Sequence, residues 1–240
     1  MATDPPPPSP RLHRRTFLAA AAVAPFSMLR VGEPPTRQVR PAAFVTTGRI
    51  DTNSFALTLE GSGDWRLAEM ARESLKIDGA LVTIFAVGRW AAAHPDELRY
   101  LSRDGHEIAN HTFSHLDLHR LDRRAVAEEI TRCRDVLLAI VGHGGRWFQP
   151  SGIADPTSLI REEAANAGYN TIVGFDVDPH DDNSASADEV VRRTLDRLRA
   201  GSIVRLHLRQ QSTVDALSAI IAQARRRGLE PVTLSKLLAA

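Results

Sequence analysis

The stretch Asp104-Gly-His-Glu-Ile-Ala-Asn-His-Thr-Phe-Ser-His115 places two histidines, His111 and His115, four residues apart directly after a short apolar run. Residues at positions i and i+4 share one face of a coiled backbone, so the two imidazole rings can converge on one point. Neutral imidazole is the commonest nitrogen ligand for zinc and similar divalent ions. The pair alone is half of a metal site, because a third protein ligand, usually a carboxylate, must come from elsewhere in the chain.

The composition narrows the class of protein. At 240 residues and a net charge of +1, the chain has room for one large α/β domain or two small ones. Its charges are balanced without a basic stripe, so nucleic acid is not the expected partner, and no obligate protein partner is evident. The single cysteine, Cys133, excludes an intramolecular disulfide and a cysteine-based zinc cluster. Its place in an amphipathic helical pattern predicts a buried structural thiol.

Residues 1–43 are predicted to be an export signal and linker, and residues 44–240 the folded domain. Arg14-Arg15-Thr16-Phe17-Leu18 precedes a mildly apolar run that is too short for a comfortable membrane span. This pattern resembles a twin-arginine signal, and a disordered basic tail is the alternative interpretation. We therefore expect export to the periplasm, cell envelope or outside by the twin-arginine machinery. No sharp cleavage site follows, so both cleavage and retention as an anchor stay open.

Short apolar runs alternate with helix-length amphipathic stretches from residue 54 onward. Helices are predicted at 65–75, 95–103, 123–141, 156–167, 187–199 and 213–227, with Asp122 and Asp188 as N-terminal caps. Strands are predicted at 55–59, 81–87, 107–110, 146–149, 171–177, 202–208 and 231–234. Such alternation indicates parallel βα units, either doubly wound or closed into a barrel. In these folds the chemistry collects at the carboxyl ends of the strands.

Polar side chains follow most of the predicted strands. Glu60 ends the first strand, His111 and His115 follow the third, and His207 ends the sixth. Gln149-Pro-Ser-Gly152 follows the fourth strand, and an acidic cluster follows the fifth, comprising Asp176, Asp178, Asp181 and Asp182 with His180. A packed core does not need this many ionisable residues at strand ends, so we predict that they form one site.

Over residues 55–238 these segments resemble the polysaccharide deacetylases of carbohydrate esterase family 4. The likeness is carried by the 104–115 histidine motif, by Val82-Thr-Ile-Phe-Ala-Val-Gly88-Arg-Trp90, and by Gly201-Ser-Ile-Val-Arg-Leu-His207. The resemblance implies a distorted (β/α)7 barrel that removes acetyl groups from N-acetylated sugars with a divalent metal, zinc being the first candidate. A bound cation polarises the amide carbonyl and makes a water proton labile.

The resemblance also implies residue roles. His111 and His115 match the metal ligands, and His207 matches the acid that serves the leaving amine. The backbone N–H of Ser151 stands where the family stabilises the oxyanion. Asp178 matches a carboxylate that tunes the active-site groups, with a turn carboxylate ahead of Pro179 as an equal alternative.

The first family motif is altered in this chain. The family reads Thr-Phe-Asp-Asp-Gly, base first and metal ligand second, whereas this chain reads Thr58-Leu59-Glu60-Gly61-Ser62. Glu60 therefore stands at the base position, and Gly61, which has no side chain, at the ligand position. Three outcomes stay open: Glu60 reaches the ion itself, Asp64 swings in, or the site is weak and activity is reduced or lost. Asp64 is predicted instead to cap the helix beginning at Trp65.

The third motif is altered as well. The family has an arginine that orients the base, and here Gln149 stands at that position. Glutamine donates a hydrogen bond but cannot form the bidentate charged pair that arginine makes. Arg146, three residues earlier, is a weak substitute and is predicted to be a surface charge.

The sequence therefore predicts an exported, metal-assisted hydrolase that removes N-acetyl groups from a cell-wall or chitin-like glycan. Its roles are His111 and His115 as ligands, Glu60 as base or third ligand, and His207 as acid, with Gln149, Ser151 and Asp178 in support. The first alternative is a catalytically impaired relative that still binds glycan. A hydrolase of a small amide is the second, since a fold does not fix its substrate.

Overall fold

The computed structural model describes Met1, Asp4 and residues 40–152, 154–183 and 185–239. The predicted signal in residues 1–43 lies almost wholly outside the described residues. One compact unit extends from Gln38 to the C-terminus. Within the described residues, no helix combines the length and the apolarity needed to cross a membrane.

Strands and helices alternate along this unit. The strands are β1 Ala43–Val45, β2 Ser54–Gly61, β3 Thr83–Ala86, β4 Glu107–Asn110, β5 Thr171–Val173, β6 Ile203–His207 and β7 Glu230–Pro231. The α-helices are α1 Trp65–Ile77, α2 Gly88–Ala93, α3 Pro95–Arg103, α4 Arg123–Val141, α5 Ser158–Asn166, α6 Ala187–Arg197, α7 Gln211–Arg226 and α8 Leu234–Leu237. A single 3-10 turn, Leu118–Arg120, precedes α4.

The strand pairing closes into a ring. Parallel strands lie in the order β4-β3-β2-β6. On one side, Phe148 forms parallel bridges to Asn110 of β4 and Ile172 of β5. On the other side, Val177 forms a parallel bridge to Val204 of β6. The pairing thus returns to its starting strand, which makes the structure a distorted parallel barrel.

The pleat of β2 separates the barrel interior from the helix layer. Phe55, Leu57 and Leu59 lie in the large core that also contains side chains of α1 and α7. Ala56 belongs instead to a smaller cluster with residues of β3, β4, β5 and β6, which fills the barrel interior. Side chains of a strand alternate between its two faces, so Thr58 and Glu60 follow Ala56 inward. β2 therefore presents a carboxylate at the carboxyl end of the interior.

Several local expectations are confirmed. Asp122 caps α4 by accepting a hydrogen bond from the Ala125 N–H at 2.8 Å. Cys133 is a fully buried thiol within α4, and burial raises its pKa to about 12. His119 and His180, which we expected to face solvent, are exposed.

Other local expectations were wrong. The predicted strand at 146–149 is reduced to a ladder of single bridges at Phe148. The predicted strand at 231–234 ends at Pro231, and Leu234 begins a short helix. Ser186, not Asp188, caps α6, because Ser186 and Glu189 form a reciprocal capping box.

The elements β1 and α2 were also not predicted. β1 is an edge strand that pairs only with β5 among the described strands. It has three residues, which is too short for an alternating pattern to be recognised in the sequence. α2 has six residues and begins at a glycine, which is a poor helix former. Trp90, 7% exposed, anchors α2 in the core, so tertiary packing stabilises a helix that the local sequence does not favour.

Candidate active site

Glu60 lies at the centre of the polar residues at the carboxyl end of the barrel. It pairs in register with Phe85 of β3 and His207 of β6, and its side chain is about 5% exposed. Because Glu60 and His207 are cross-strand neighbours on one face, their side chains meet inside the barrel. Glu60 Oε2 lies 3.1 Å from His207 Nε2.

The two histidines of the 104–115 motif converge on the same oxygen. Glu60 Oε2 lies 3.4 Å from His111 Nε2 and 3.7 Å from His115 Nε2, and the two rings are 5.0 Å apart between centroids. The predicted convergence is therefore present, but no helix produces it. Thr112 and His115 have positive φ angles of 62° and 61°, so the chain turns sharply after β4. This left-handed geometry is uncommon for residues with a Cβ, and it brings the rings together here.

The histidines are oriented for coordination. His111 Nδ1 donates to the Gln149 carbonyl at 2.9 Å, which leaves Nε2 free of its proton and facing Glu60. His111 Nε2 and His115 Nε2 are buried and have no hydrogen-bond partner among the described residues. Two orphaned imidazole nitrogens and one carboxylate oxygen, all within 4.8 Å of one another, are a donor set that fits zinc. These residues therefore fit the metal that the resemblance implies.

A buried dyad holds His207 from its other side. Asp181, fully buried, accepts from His207 Nδ1 at 2.7 Å and from the His207 backbone N–H at 2.8 Å. The Thr213 hydroxyl also donates to Asp181. Sequence reasoning placed Asp181 in the acidic cluster but gave it no role. Asp181 lies only three residues after Asp178, and the sequence did not indicate which of the two carboxylates contacts His207.

Asp178 contacts Arg205 and the backbone of its own loop. Its carboxylate accepts hydrogen bonds from Arg205 Nη2 at 2.7 Å and from the His180 backbone N–H at 2.8 Å. It therefore serves both as a turn carboxylate and as the partner of a cation inside the barrel. Its tuning role stays a prediction, and any effect on the site passes through Arg205.

The charges of this site are coupled. Burial raises the pKa of Glu60, but its electrostatic interaction with His111 and its contacts with three imidazoles outweigh burial and hold that pKa well below its usual range. Burial lowers the pKa of His207, but its hydrogen bond to Asp181 and its contact with Glu60 outweigh burial and raise that pKa to about 9. Burial raises the pKa of Asp181, but the hydrogen bonds that it accepts from His207 and Thr213 outweigh burial and lower that pKa. At neutral pH the barrel therefore holds ionised carboxylates against a protonated His207.

Gln149 and Ser151 lie beside the histidine motif. The Gln149 side chain is 2% exposed, and both its amide oxygen and its amide nitrogen lack a hydrogen-bond partner among the described residues. Ser151 is fully buried, and its hydroxyl contacts Thr112 Oγ1 at 3.0 Å and the Leu116 carbonyl. The exposed Arg146 packs on the Trp147 ring 4.8 Å away, as expected of a surface charge rather than a substitute for the missing arginine.

Gly61 faces the helix layer and not the histidines. A Cβ built on Gly61 would lie 2.9 Å from Trp90 Cζ3 and 3.2 Å from Ile84 Cγ2. Asp64 is exposed and caps α1 by accepting from the Arg66 N–H at 3.0 Å, as expected. Of the three outcomes left open for the missing ligand, the geometry favours the one in which Glu60 itself reaches the site.

The sequence resembles known deacetylases. The family model described as polysaccharide deacetylase matches residues 54–172. A peptidoglycan-N-acetylglucosamine deacetylase of Bacillus cereus is 27% identical over 207 residues, covering 83% of this chain and 74% of the relative. A chitooligosaccharide deacetylase of Bradyrhizobium sp. is 33% identical over 164 residues, covering 62% of this chain and 74% of the relative.

Solved structures show the same architecture. The Bc1960 peptidoglycan N-acetylglucosamine deacetylase superimposes with a TM-score of 0.78 at 25% identity, covering 82% of this chain and 93% of that one. A carbohydrate esterase family 4 pseudoenzyme from Bacillus anthracis has a TM-score of 0.76 at 21% identity, covering 81% and 68% of the two chains. At that identity the second likeness shows the fold alone.

The fold and the strand-end histidines define a single-domain (β/α)7 barrel of the carbohydrate esterase class, as predicted. The sequence matches are more specific, and the chain belongs to the polysaccharide deacetylase family.

Restoring an aspartate at Gly61 is expected to harm the protein and not to complete the metal site. The side chain would enter the layer occupied by Trp90 and Ile84, and such overpacking costs about 1–3 kcal/mol. Gly61→Ala should lose stability in urea unfolding, and Gly61→Asp should lose more, because its carboxylate would also be buried without a partner. Neither variant should gain zinc affinity in calorimetry. Tighter zinc binding by Gly61→Asp at unchanged stability would show that the backbone re-orients this position.

Proposed function

We propose that this protein is a metal-dependent hydrolase that removes N-acetyl groups from an extracytoplasmic amino-sugar polymer or oligosaccharide. One observation carries the proposal. Two imidazole nitrogens without other partners and one buried carboxylate oxygen meet beside a protonated His207 that Asp181 holds in place. The relatives named as peptidoglycan and chitooligosaccharide deacetylases support the same bond type and substrate class.

Glu60 is assigned to the ligand set. His111, His115 and Glu60 would hold the divalent ion, which supplies Lewis-acid polarisation of the amide carbonyl and makes the attacking water acidic. Zinc is the expected ion, because two nitrogens and one oxygen leave a fourth position open for water or substrate, as catalytic zinc sites do. Glu60 has one methylene more than aspartate, which suits a side chain that starts one residue before the family's ligand position.

His207 supplies the proton for the leaving amine. Its Nδ1 is fixed by Asp181, so Nε2 points toward Glu60 and the interior of the barrel. The hydrogen bond from His207 to Asp181 raises the pKa of His207 and favours its protonated form, which is the state a general acid needs before the C–N bond breaks. No described residue accepts a hydrogen bond from the Ser151 backbone N–H, so that donor is available to the oxyanion.

The arrangement also predicts slow turnover. The resemblance implies two adjacent carboxylates, one as ligand and one as base, and this chain has one at the corresponding place. With Glu60 in the ligand set, proton acceptance from water has no dedicated carboxylate. A positioned base contributes about 10²–10⁴-fold to rate, so we propose reduced rather than absent activity.

Metal binding is tested by titrating metal-free protein with zinc in a calorimeter. We expect one zinc per chain, and Glu60→Gln should weaken binding by more than about tenfold, the lower bound seen even for outer partners of metal ligands. Asp64→Asn is the matched control, since Asp64 is an exposed cap and its loss should leave zinc affinity unchanged. Equal zinc affinity in Glu60→Gln and the unaltered protein would remove Glu60 from the ligand set.

Catalysis is tested by acetate release from chitooligosaccharides and from peptidoglycan fragments. His207→Ala should lower the rate by about 10²–10⁴-fold, because the leaving amine loses its proton donor. The exposed His119, altered in the same way, controls for the loss of a histidine. If the unaltered zinc-loaded protein binds these glycans and releases no acetate, the catalytically impaired alternative replaces this proposal.

Export by the twin-arginine machinery is part of the proposal and rests on the sequence of residues 14–18. Exchange of Arg14 and Arg15 for lysine should retain the protein in the cytoplasm, as measured by cell fractionation with immunoblotting. Lysine keeps the charge, so a loss of export would show recognition of the arginine pair itself. Unchanged distribution would favour the basic-tail interpretation.

A further inference from the structure

A half-buried arginine, Arg205, lies near His207 on the inner face of the barrel. Arg205 is two residues before His207 on β6, so both side chains point inward. It pairs in register with Thr58 of β2, and its side chain is 18% exposed. A guanidinium is rarely placed in such a position without charged partners, because removing it from water is costly. Its contacts therefore indicate why it is there.

Arg205 contacts two carboxylates. Its Nη2 donates to Asp178 Oδ2 at 2.7 Å, and its Nη1 lies 3.9 Å from Glu60 Oε1. The guanidinium carbon lies 4.4 Å from the centre of the Phe175 ring, which supports the flat group from one side. Asp178 and Phe175 thus fix the cation, and the cation faces Glu60.

The two oxygens of Glu60 have different partners. Oε2 faces the imidazoles of His111, His115 and His207, whereas Oε1 faces Arg205. The ion pair at 3.9 Å attracts Oε1 toward the guanidinium and so restricts rotation about the terminal torsion of the carboxylate. The contact with Arg205 therefore favours the orientation in which Oε2 is presented to the histidines.

Gln149 does not compete for this function. Its amide is buried, has no hydrogen-bond partner among the described residues and carries no charge. We infer that Arg205, fixed by Asp178, is a positioning residue that orients Glu60 toward the histidines, in place of the cation that Gln149 does not provide. This inference rests on the proposed metal function of Glu60.

Metal affinity distinguishes positioning from plain charge. A guanidinium repels a divalent cation, so a purely electrostatic view expects zinc to bind more tightly when Arg205 is removed. Positioning predicts the opposite, because a freely rotating Glu60 loses its preorganised orientation. Loss of an outer partner of a metal ligand typically weakens metal binding by about 10–100-fold.

The experiment compares zinc titrations of metal-free protein by calorimetry, with cobalt absorption spectra as a second report on the ligand geometry. The double variant Arg205→Met/Asp178→Asn removes one charge of each sign, so net charge is unchanged. It should bind zinc about 10–100-fold more weakly and change the cobalt spectrum. Arg199→Met is the control: Arg199 is mostly exposed, pairs with Asp176 at 3.1 Å, and should leave both readouts unchanged.

Equal or tighter zinc binding by the double variant would overturn the inference. Arg205→Lys carries the same test if the double variant does not fold, since lysine keeps the charge but not the planar fork, and it should weaken zinc binding. If the unaltered protein binds no zinc, the proposed function fails separately. Metal-free crystal structures then decide: a rotated Glu60 carboxylate in Arg205→Lys supports positioning, and an unmoved one refutes it.

Discussion

The pleat of β2 is the constraint on which the site depends. Successive side chains of this central strand point to opposite faces, so a functional group moved by one residue changes from the barrel interior to the helix layer. Glu60 falls on the interior face, whereas Gly61 falls against Trp90 and Ile84. The neighbouring strand β6 obeys the same rule, which places Arg205 and His207 inside and Leu206 in the helix layer. Glu60 and His207 meet because two parallel strands share one register.

A buried carboxylate is tolerable only if its charge is matched, and the residues around Glu60 meet that requirement in two layers. The inner layer consists of three imidazole nitrogens directed at one oxygen. The outer layer consists of carboxylates and a guanidinium that hold those groups: Asp181 holds His207, and Arg205 lies between Asp178 and Glu60. His207 and Glu60 are thus each supported by a group behind them. This ordering keeps a polar site rigid within an otherwise apolar barrel.

Sequence reasoning located the parts of this site that depend on strand ends. Glu60, His111, His115 and His207 all follow or end strands, and parallel strands bring their carboxyl ends to one edge, so their proximity was predictable. Arg205 could not be singled out, because its importance comes from pairing with Asp178 across 27 positions of sequence. Asp181 was equally hidden, since three acidic residues in one loop are equivalent until the loop folds. The turn at Thr112 and His115 depends on positive φ angles, which cannot be predicted from these residue types. Local pattern therefore predicts which strands carry chemistry, and tertiary pairing selects the supporting residues.

The direct contacts Asp178–Arg205–Glu60–His207–Asp181 form one electrostatic unit. When His207 is neutral, the three carboxylates and one guanidinium of this unit leave two negative charges in excess. A divalent cation would balance that charge. The raised pKa of His207 is the response of the same unit to that excess, because a proton on His207 neutralises part of it. A second carboxylate next to Glu60 would deepen the excess, and in this chain that position is a glycine turned away from the interior. The loss of one carboxylate and the presence of Arg205 therefore act on the same charge balance: the guanidinium offsets Asp178, and the charge of Glu60 stays available for the proposed metal.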